Sequence, residues 1–220
     1  MPKDLNKIYD FKIKKSAVYS TVHTTILRKY PIRSHDDWTN TQFQPIKAII
    51  KKSYYLPQKR RCAYCRKRLN ADAYYNHIDH IIPKSHHMRW MFKPKNLAIT
   101  CEVCNFLKNA DDTLTTGHPQ TKFPKKNNGF TTFNPHFDRW GDCFEIEDGM
   151  FIKARNLKGE ETIRICKLHQ YQYSVLYSEE SEINQRSAIK RATHRQRRYP
   201  AGSIEHESAR KVIEYYLNLI

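Results

Sequence analysis

Two pairs of cysteines constrain the fold of this 220-residue chain more tightly than any other feature of its sequence. Cys62 and Cys65 are separated by two residues, Cys101 and Cys104 repeat that spacing, and 35 residues lie between the pairs. Two thiolates spaced in this way reach one ion from a tight turn, and four thiolates complete a tetrahedral zinc shell with no open position. The pattern predicts a structural zinc that ties together the ends of a small subdomain. A redox pair or four unrelated core cysteines are the alternatives.

Composition and charge narrow the class of protein. Hydrophobic residues make up 39% of the chain and aromatic residues 12%, which indicates a folded protein. The formal net charge of +17 predicts a polyanionic partner, with nucleic acid first and an acidic membrane surface or acidic protein as the alternative. The sequence contains no apolar run of the roughly 20 residues that a membrane span requires, and no secretory signal begins it. We therefore expect a soluble, cytoplasmic protein with no membrane partner.

The segment between and after the cysteine pairs is predicted to form two strands and a helix. Residues 75–82 have the apolar character of a strand, and Pro83 ends it because proline removes a ladder donor. Residues 97–100 are a second predicted strand, and residues 102–108 are predicted to start a helix. This order places the second cysteine pair at the turn from strand to helix.

Three separated motifs within this segment carry a resemblance to a known family: Asp79-His80-Ile-Ile-Pro83, Asn96-Leu97 and Cys101-x-x-Cys104-Asn105-x-x-Lys108. Together with the cysteine frame they resemble the HNH endonucleases, the ββα-metal group, over about residues 60–110. The resemblance implies an α+β protein with a zinc-stapled ββα-metal nuclease core. It also implies hydrolysis of phosphodiester bonds with a divalent cation, and DNA as a substrate in preference to RNA.

The residue types in these motifs suit that chemistry. A neutral imidazole can take a proton from water near neutral pH, so His80 is the predicted general base. Asp79 and Asn105 offer the oxygen ligands that Mg²⁺ or Mn²⁺ prefers. Family members often have histidine where this chain has Asn105, and the oxygen ligand favours Mg²⁺. By the resemblance, Asn96 holds the loop between the strands and orients the base.

Strand geometry raises one difficulty for this assignment. Side chains alternate along a strand, so Asp79 and His80 should point to opposite faces unless a bulge or the strand end intervenes. His77 should share the face of Asp79, either as a further metal ligand or phosphate donor or as an ordinary strand histidine. A surface ion pair or a satisfied polar strand end is the alternative for the Asp79 and His80 pair.

The flanking regions are predicted to form two further parts of the chain. Residues 1–58 are predicted as an N-terminal lead-in, with a strand around residues 9–13 and a helix that opens at Pro45. Residues 59–112 are the predicted nuclease core with its zinc site. Residues 113–220 are predicted to hold a hairpin that turns at 148–149, followed by helices.

Basic residues supply the candidate nucleic-acid contacts. Residues 184–204 contain no acid, and a helix there would align a basic stripe. The predicted contacts are Lys108, Arg186, Lys190, Arg191, Arg195 and Arg198. Basic clusters at residues 59–61 and 66–68, around the first cysteine pair, are further candidates for phosphate contacts. A solvated face or a partly disordered tail is the alternative for the stripe.

A looser resemblance concerns the segment from Asn134-Pro135 to Trp140 and the hairpin after it. A similar arrangement follows the nuclease core in small bacterial HNH proteins associated with anti-phage defence, and this implies a partner protein. The apolar face of the last helix must be covered by the core or by another chain, which could be a second copy. The other hypotheses are a non-catalytic zinc-stapled nucleic-acid-binding module, an RNA-cutting nuclease, and an effector subunit that is silent alone.

Overall fold

The chain divides into two compact units in the computed structural model, which describes residues 4–72, 76–117 and 121–219. One unit comprises residues 11–140 and is here called the nuclease unit, after the nuclease core predicted within it. The other, here called the terminal unit, combines residues 1–10 with residues 141–220. Both predicted boundaries, after residue 58 and after residue 112, fall inside the nuclease unit.

Runs of helices flank two separate pairs of short antiparallel strands, which confirms the predicted α+β class. The α-helices are α1 (Leu5–Tyr9), α2 (Thr21–Lys29), α3 (Gln44–Tyr55), α4 (Glu102–Lys108), α5 (Trp140–Cys143), α6 (Leu157–Ile165), α7 (Tyr171–Glu180), α8 (Gln185–Arg198) and α9 (Ile204–Leu217). The strands are β1 (His77–His80), β2 (Leu97–Thr100), β3 (Phe144–Glu147) and β4 (Phe151–Ala154). Short 3₁₀ helices cover His35–Thr39, Thr41–Phe43, Met88–Trp90, Pro94–Asn96 and Asn127–Gly129. No helix in the described part of the chain is long and apolar enough to cross a membrane.

The nuclease unit is built around the ββα arrangement of β1, β2 and α4. The two strands pair antiparallel, from His77 opposite Thr100 to His80 opposite Leu97, and α4 follows β2 after one residue. All four residues of β2 are buried, which explains its continuous apolar sequence. The first strand is shorter than predicted, and the predicted start at residue 75 lies outside the described residues.

Helix α3 fixes the preceding part of the chain to this core. Pro45 lies in its first turn, as predicted, and Ile46, Ile50 and Tyr54 are buried. Just beyond the helix, the amide of Gln58 donates to the carbonyl of Ile99 at 2.7 Å and accepts from its N–H at 2.9 Å. The Gln58 side chain therefore bonds both backbone groups of Ile99, which lie on the edge of β2 that does not face β1.

The predicted strand around residues 9–13 is wrong. Leu5–Tyr9 forms a helix that Asp4 caps, because the Asp4 carboxylate accepts from two backbone N–H groups of the first turn. Phe11 and Ile13 are buried and extended, but only isolated bonds join them to the segment before α5. The alternation of apolar and polar residues in this segment reflects which side chains are buried, and it occurs without the regular hydrogen bonding of a paired β-strand.

The terminal unit contains the predicted hairpin. Asp148 and Gly149 both have left-handed backbone angles, with φ of 53° and 72°, as the tight turn between β3 and β4 requires. Ser203 caps α9 by accepting from the N–H of His206. One apolar cluster of this unit covers the inner face of α9: Met150, Phe151, Val175, Ile183, Ala188, Ala192, Ala209, Val212 and Tyr216. Ala209, Val212 and Tyr216 of that face are thus buried within the unit, whereas Leu217 of the same helix is exposed.

Candidate metal and nuclease site

The four cysteines of the predicted zinc site form one cluster. The sulfur atoms of Cys62, Cys65, Cys101 and Cys104 all lie within 4.8 Å of one another, and those of Cys65 and Cys101 are 3.7 Å apart. A zinc–sulfur bond of about 2.3 Å in a tetrahedron places sulfurs about 3.8 Å apart, so the cluster fits this ion. Hydrogen bonds from the other three sulfurs hold the pKa of the Cys101 thiol far below its ordinary value. A thiolate in the cluster is the form that binds a metal.

Two buried arginines stabilise the turn that carries the first cysteine pair. Arg66 has a left-handed backbone with φ of 60°, and its guanidinium donates to the carbonyls of Cys62 at 2.8 Å and Gln58 at 2.9 Å. Its guanidinium carbon lies 3.9 Å from the centre of the Phe11 ring. Arg61 donates to the carbonyl of Arg66 at 2.8 Å. Both arginines belong to the basic clusters predicted to contact phosphate, and their burial makes that prediction wrong for these two residues.

The end of β1 brings the predicted catalytic residues together. The register with β2 is regular through His80, so the strand end and not a bulge resolves the conflict between alternating faces. Asp79 and His80 line one cavity of about 390 Å³, and Asn105 from α4 lines the same cavity. Two residues with oxygen-bearing side chains and one histidine therefore line a single cavity.

The imidazole of His80 is fixed in one tautomer. Its Nε2 lies 3.1 Å from the carbonyl oxygen of Met91, so Nε2 must carry the proton and Nδ1 is left as the acceptor. Burial, followed by the nearby ammonium groups of Lys108 and Lys84, lowers the pKa of His80 to about 3. The ring is consequently neutral throughout the physiological pH range.

The carboxylate of Asp79 is held at both oxygens. The hydroxyl of Tyr64 donates to Oδ2 at 2.6 Å, and the ammonium group of Lys108 lies 3.3 Å from Oδ1. Lys108 also donates to the backbone carbonyl of His80 at 2.8 Å and is fully buried. That placement differs from the phosphate contact predicted for Lys108, because its charge is directed into the protein.

Asn96 joins the two ends of the loop between the strands. Its side-chain oxygen accepts from the N–H of Ile82 at 2.8 Å. Its amide nitrogen donates to the carbonyls of Ile82 at 3.0 Å and Trp90 at 3.2 Å. Asn96 is fully buried, and its contacts link the exit of β1 to the loop that also supplies the carbonyl bonded by His80.

The oxygen donors of the cavity fit a hard divalent cation. Each oxygen of a carboxylate has two acceptor positions, so Asp79 can keep its present contacts and still bind an ion. Asn105 adds an amide oxygen, and Mg²⁺ typically takes its remaining ligands from water and substrate phosphate. His77 is exposed at the start of β1 and does not line this cavity.

Sequence patterns did not indicate two aromatic residues at the site. Trp38, from the 3₁₀ helix His35–Thr39, places its ring edge against His80 with 4.4 Å between ring centres. Tyr64 contacts Asp79 from within the first cysteine pair. The first cysteine motif leaves the residue type at position 64 open, and Trp38 lies in no recognisable motif and is distant from His80 in sequence, so only the folded chain reveals these contacts.

The predicted basic stripe on α8 divides into exposed and internally bonded residues. Arg186 and Lys190 are exposed. Arg195 is buried in an ion pair with Glu147, and Arg198 also contacts that carboxylate. Arg191 donates to the carbonyl of Asp148. The prediction of a phosphate contact is therefore wrong for Arg195, whose burial leaves it no access to a nucleic acid.

Comparison with known proteins supports the assignment of this region. Residues 62–111 match the family model described as HNH endonuclease, which confirms the resemblance found in the motifs. The chain is also 26% identical over 124 residues to the Septu protein PtuB of Bacillus thuringiensis. That match covers 56% of this chain and 42% of the relative's length, so the chain spans less than half of it. No solved structure matches the chain significantly.

Proposed function

Because residues 62–111 match the HNH endonucleases and three motif residues line one cavity, we propose that this protein is a metal-dependent endonuclease that hydrolyses DNA. The observation that carries the proposal is the shared cavity of Asp79, His80 and Asn105, with the His80 tautomer fixed by a carbonyl. The nucleic-acid substrate follows from the family, and the excess of basic residues supports it.

His80 acts as the general base in this proposal. A water molecule held beside its Nδ1 attacks the phosphorus of the scissile phosphodiester and transfers its proton to that nitrogen. The bond from phosphorus to the 3′ oxygen breaks, and the leaving oxygen takes a proton from solvent. The products are a 5′ phosphate and a 3′ hydroxyl. The negative charge of a bound phosphate raises the pKa of His80 from its low resting value, which favours the transfer.

Asp79 and Asn105 would hold the divalent cation, with Mg²⁺ or Mn²⁺ as the ions that suit oxygen ligands. Such an ion supplies Lewis-acid stabilisation of the charge that develops on the phosphate and the leaving oxygen. The two side chains are thus responsible for placing the reacting phosphate within reach of His80. Asn96 contributes indirectly, since it holds the loop that orients the base.

We also propose a role in bacterial defence against phage, with a partner protein. The similarity to the Septu protein PtuB supports this role, as does the resemblance of the segment from Asn134 to Trp140 and the following hairpin to small defence-associated HNH proteins. A cytoplasmic location fits this role. The remaining alternatives, an RNA-cutting nuclease and a non-catalytic binding module, differ in substrate and in the need for His80.

A plasmid-cleavage assay with Mg²⁺, Mn²⁺ or EDTA tests the nuclease activity. We expect metal-dependent nicking by the intact chain, loss of nicking in His80→Ala, and retention in the control variant His86→Ala, which changes an exposed histidine of the neighbouring loop. Binding of uncut DNA should survive in His80→Ala. Equal cutting by His80→Ala and the intact chain would refute the assigned base.

Assays of DNA and RNA in parallel distinguish the DNA nuclease from the RNA-cutting nuclease and the non-catalytic binding module. Preferential cleavage of single-stranded or structured RNA over DNA would favour the RNA-cutting nuclease. A folded, zinc-loaded chain that binds nucleic acid and never cuts, alone or with the products of neighbouring genes, would favour the binding module. Protection of cells from phage that depends on both His80 and a neighbouring gene would support the defence role.

A further inference from the structure

Tyr64 connects the first cysteine pair to the proposed cation site. It lies between Cys62 and Cys65, its side chain is only 1% exposed, and its hydroxyl donates to Oδ2 of Asp79 at 2.6 Å. The backbone carbonyl of the same residue accepts from the indole N–H of Trp140 at 3.0 Å. The turn that carries two zinc-type ligands therefore also holds a buried hydroxyl against Asp79.

Lys108 reaches the other oxygen of the same carboxylate from the second cysteine pair. It lies one helical turn after Cys104 on α4, and its ammonium group is 3.3 Å from Oδ1 of Asp79. The same group donates to the carbonyl of His80 at 2.8 Å. The chain segment that carries each cysteine pair thus contributes one contact to the Asp79 carboxylate.

The geometry points to Tyr64 and Lys108 as positioning residues that orient the Asp79 carboxylate toward the divalent cation. This inference rests on the proposed function, in which Asp79 is a cation ligand. The terminal torsion of an aspartate is broad, so a carboxylate without partners samples many orientations. Two donors, one on each oxygen, restrict that rotation and leave lone pairs for the ion.

Cation binding to Tyr64→Phe tests the inference without recourse to catalysis. Phenylalanine keeps the buried ring and removes only the hydroxyl. We expect Mn²⁺ affinity, measured by electron paramagnetic resonance, to fall about tenfold, which is the usual effect of losing a partner of a ligating carboxylate. Zinc content should match that of the parent chain, and circular dichroism should show the same fold. The thermal midpoint should fall modestly, because a buried carboxylate oxygen loses its donor.

Tyr19→Phe is the matched control. It also deletes one tyrosine hydroxyl from the nuclease unit, one that donates to the carbonyl of Phe92 and does not contact Asp79. Its Mn²⁺ affinity should equal that of the parent chain. Equal Mn²⁺ affinity in Tyr64→Phe, Tyr19→Phe and the parent would overturn the inference.

A double-mutant cycle with Asp79→Asn separates this inference from the proposed function. If Tyr64 acts through Asp79, then Tyr64→Phe should cause little further loss of Mn²⁺ affinity in an Asp79→Asn background. Fully additive losses would contradict an action through Asp79. An Asp79→Asn chain that binds Mn²⁺ as tightly as the parent would overturn the cation site itself. Loss in Asp79→Asn with none in Tyr64→Phe would overturn only the positioning role.

Discussion

At the scale of single residues, buried titratable side chains determine how the stability of the nuclease unit depends on pH. His136 is one such group, outside the proposed catalytic cavity. Its Nε2 donates to the carbonyl of Leu97 at 2.9 Å, and the ring of Tyr54 meets it edge-on. Burial is the main cause that lowers the pKa of His136 to about 4.

The low pKa of His136 predicts loss of stability in mild acid. Below its ordinary pKa of 6.5 the unfolded chain binds a proton that the folded chain takes up only near pH 4. His136 alone should lower the free energy of unfolding by on the order of 3 kcal/mol across that window, because one pKa unit corresponds to about 1.4 kcal/mol. Urea unfolding from pH 7.5 to pH 4 measures this, and His136→Gln should flatten its share of the slope. Identical slopes in the two chains would contradict the prediction.

Lys108 is a buried cation whose removal should be costly. Lys108→Met leaves the Asp79 carboxylate buried without its counter-charge, and breaking a buried pair in this way typically destabilises by about 3–5 kcal/mol. Urea unfolding of the zinc-loaded protein measures the loss. The double variant Lys108→Met with Asp79→Asn should recover part of it, because no uncompensated charge remains. A Lys108→Met chain as stable as the parent would show that the ion pair is not formed.

At the scale of elements, side chains from outside β1 hold the exit of that strand. The backbone carbonyls of the three residues after Asp79 accept hydrogen bonds from Lys108, Thr113 and Asn96 in turn. At and beyond the end of a strand, backbone carbonyls no longer find a donor on the neighbouring strand. Side-chain donors bond them here instead. The position of His80 therefore depends on residues up to 33 positions away, as the bond from Thr113 to Ile81 at 2.8 Å illustrates.

Asn96→Ala should loosen this exit. The change removes three hydrogen bonds and leaves buried backbone groups of Ile82 and Trp90 without those partners. We expect a loss of stability on the order of 3 kcal/mol, given about 1–3 kcal/mol for each unsatisfied buried group and partial relaxation. Hydrogen exchange of the Ile82 amide should accelerate more than that of β2. Uniform acceleration across the whole unit would instead indicate global unfolding.

The cysteine cluster should bind about one zinc ion per chain and stabilise the ββα arrangement. Cys104→Ser removes a ligand at the start of α4, so zinc content should drop and the helix should fray. Cys166→Ser is the matched control, because Cys166 is equally buried but lies in the terminal unit. Elemental analysis and circular dichroism measure the two effects. Retention of zinc by Cys104→Ser would contradict the four-ligand site.

Local sequence patterns were sufficient to predict β2, α4 and the motif residues. Residues 97–100 and 102–108 form the predicted strand and helix because their periodicity and the flanking turn act over a few residues. Partners of charged side chains were not predictable in this way. Arg66 and Arg195 belong to basic segments predicted to contact phosphate, yet both are buried, because the distant Phe11 ring packs on Arg66 and the distant Glu147 carboxylate pairs with Arg195. Such pairings are set by tertiary packing.

At the scale of the whole molecule, 39 basic side chains stand against 22 acidic ones, so one-to-one ion pairing leaves the net charge of +17 unchanged. In α8 the exposed Arg186 and Lys190 are four residues apart, whereas Arg195 is buried in an ion pair with Glu147. Arg198 is exposed as well but contacts Glu147, so Arg186 and Lys190 are the members of the predicted stripe that we take as the candidate phosphate contacts. Residues at this spacing share one helical face and can follow a phosphate backbone.

Replacing Arg186 and Lys190 by glutamine should reduce the salt dependence of DNA binding. Each phosphate neutralised by the protein contributes about 0.9 to the slope of log affinity against log salt, so two lost contacts should lower the slope by about 2. Fluorescence anisotropy on a short duplex measures the slope, in a His80→Ala background that prevents cutting. The control is Lys167→Gln with Lys211→Gln, which removes the same charge from exposed positions of the same unit outside α8. An equal fall in both double variants would mean that net charge, and not the α8 stripe, governs binding, because long-range attraction does not distinguish where on the unit the charge is lost.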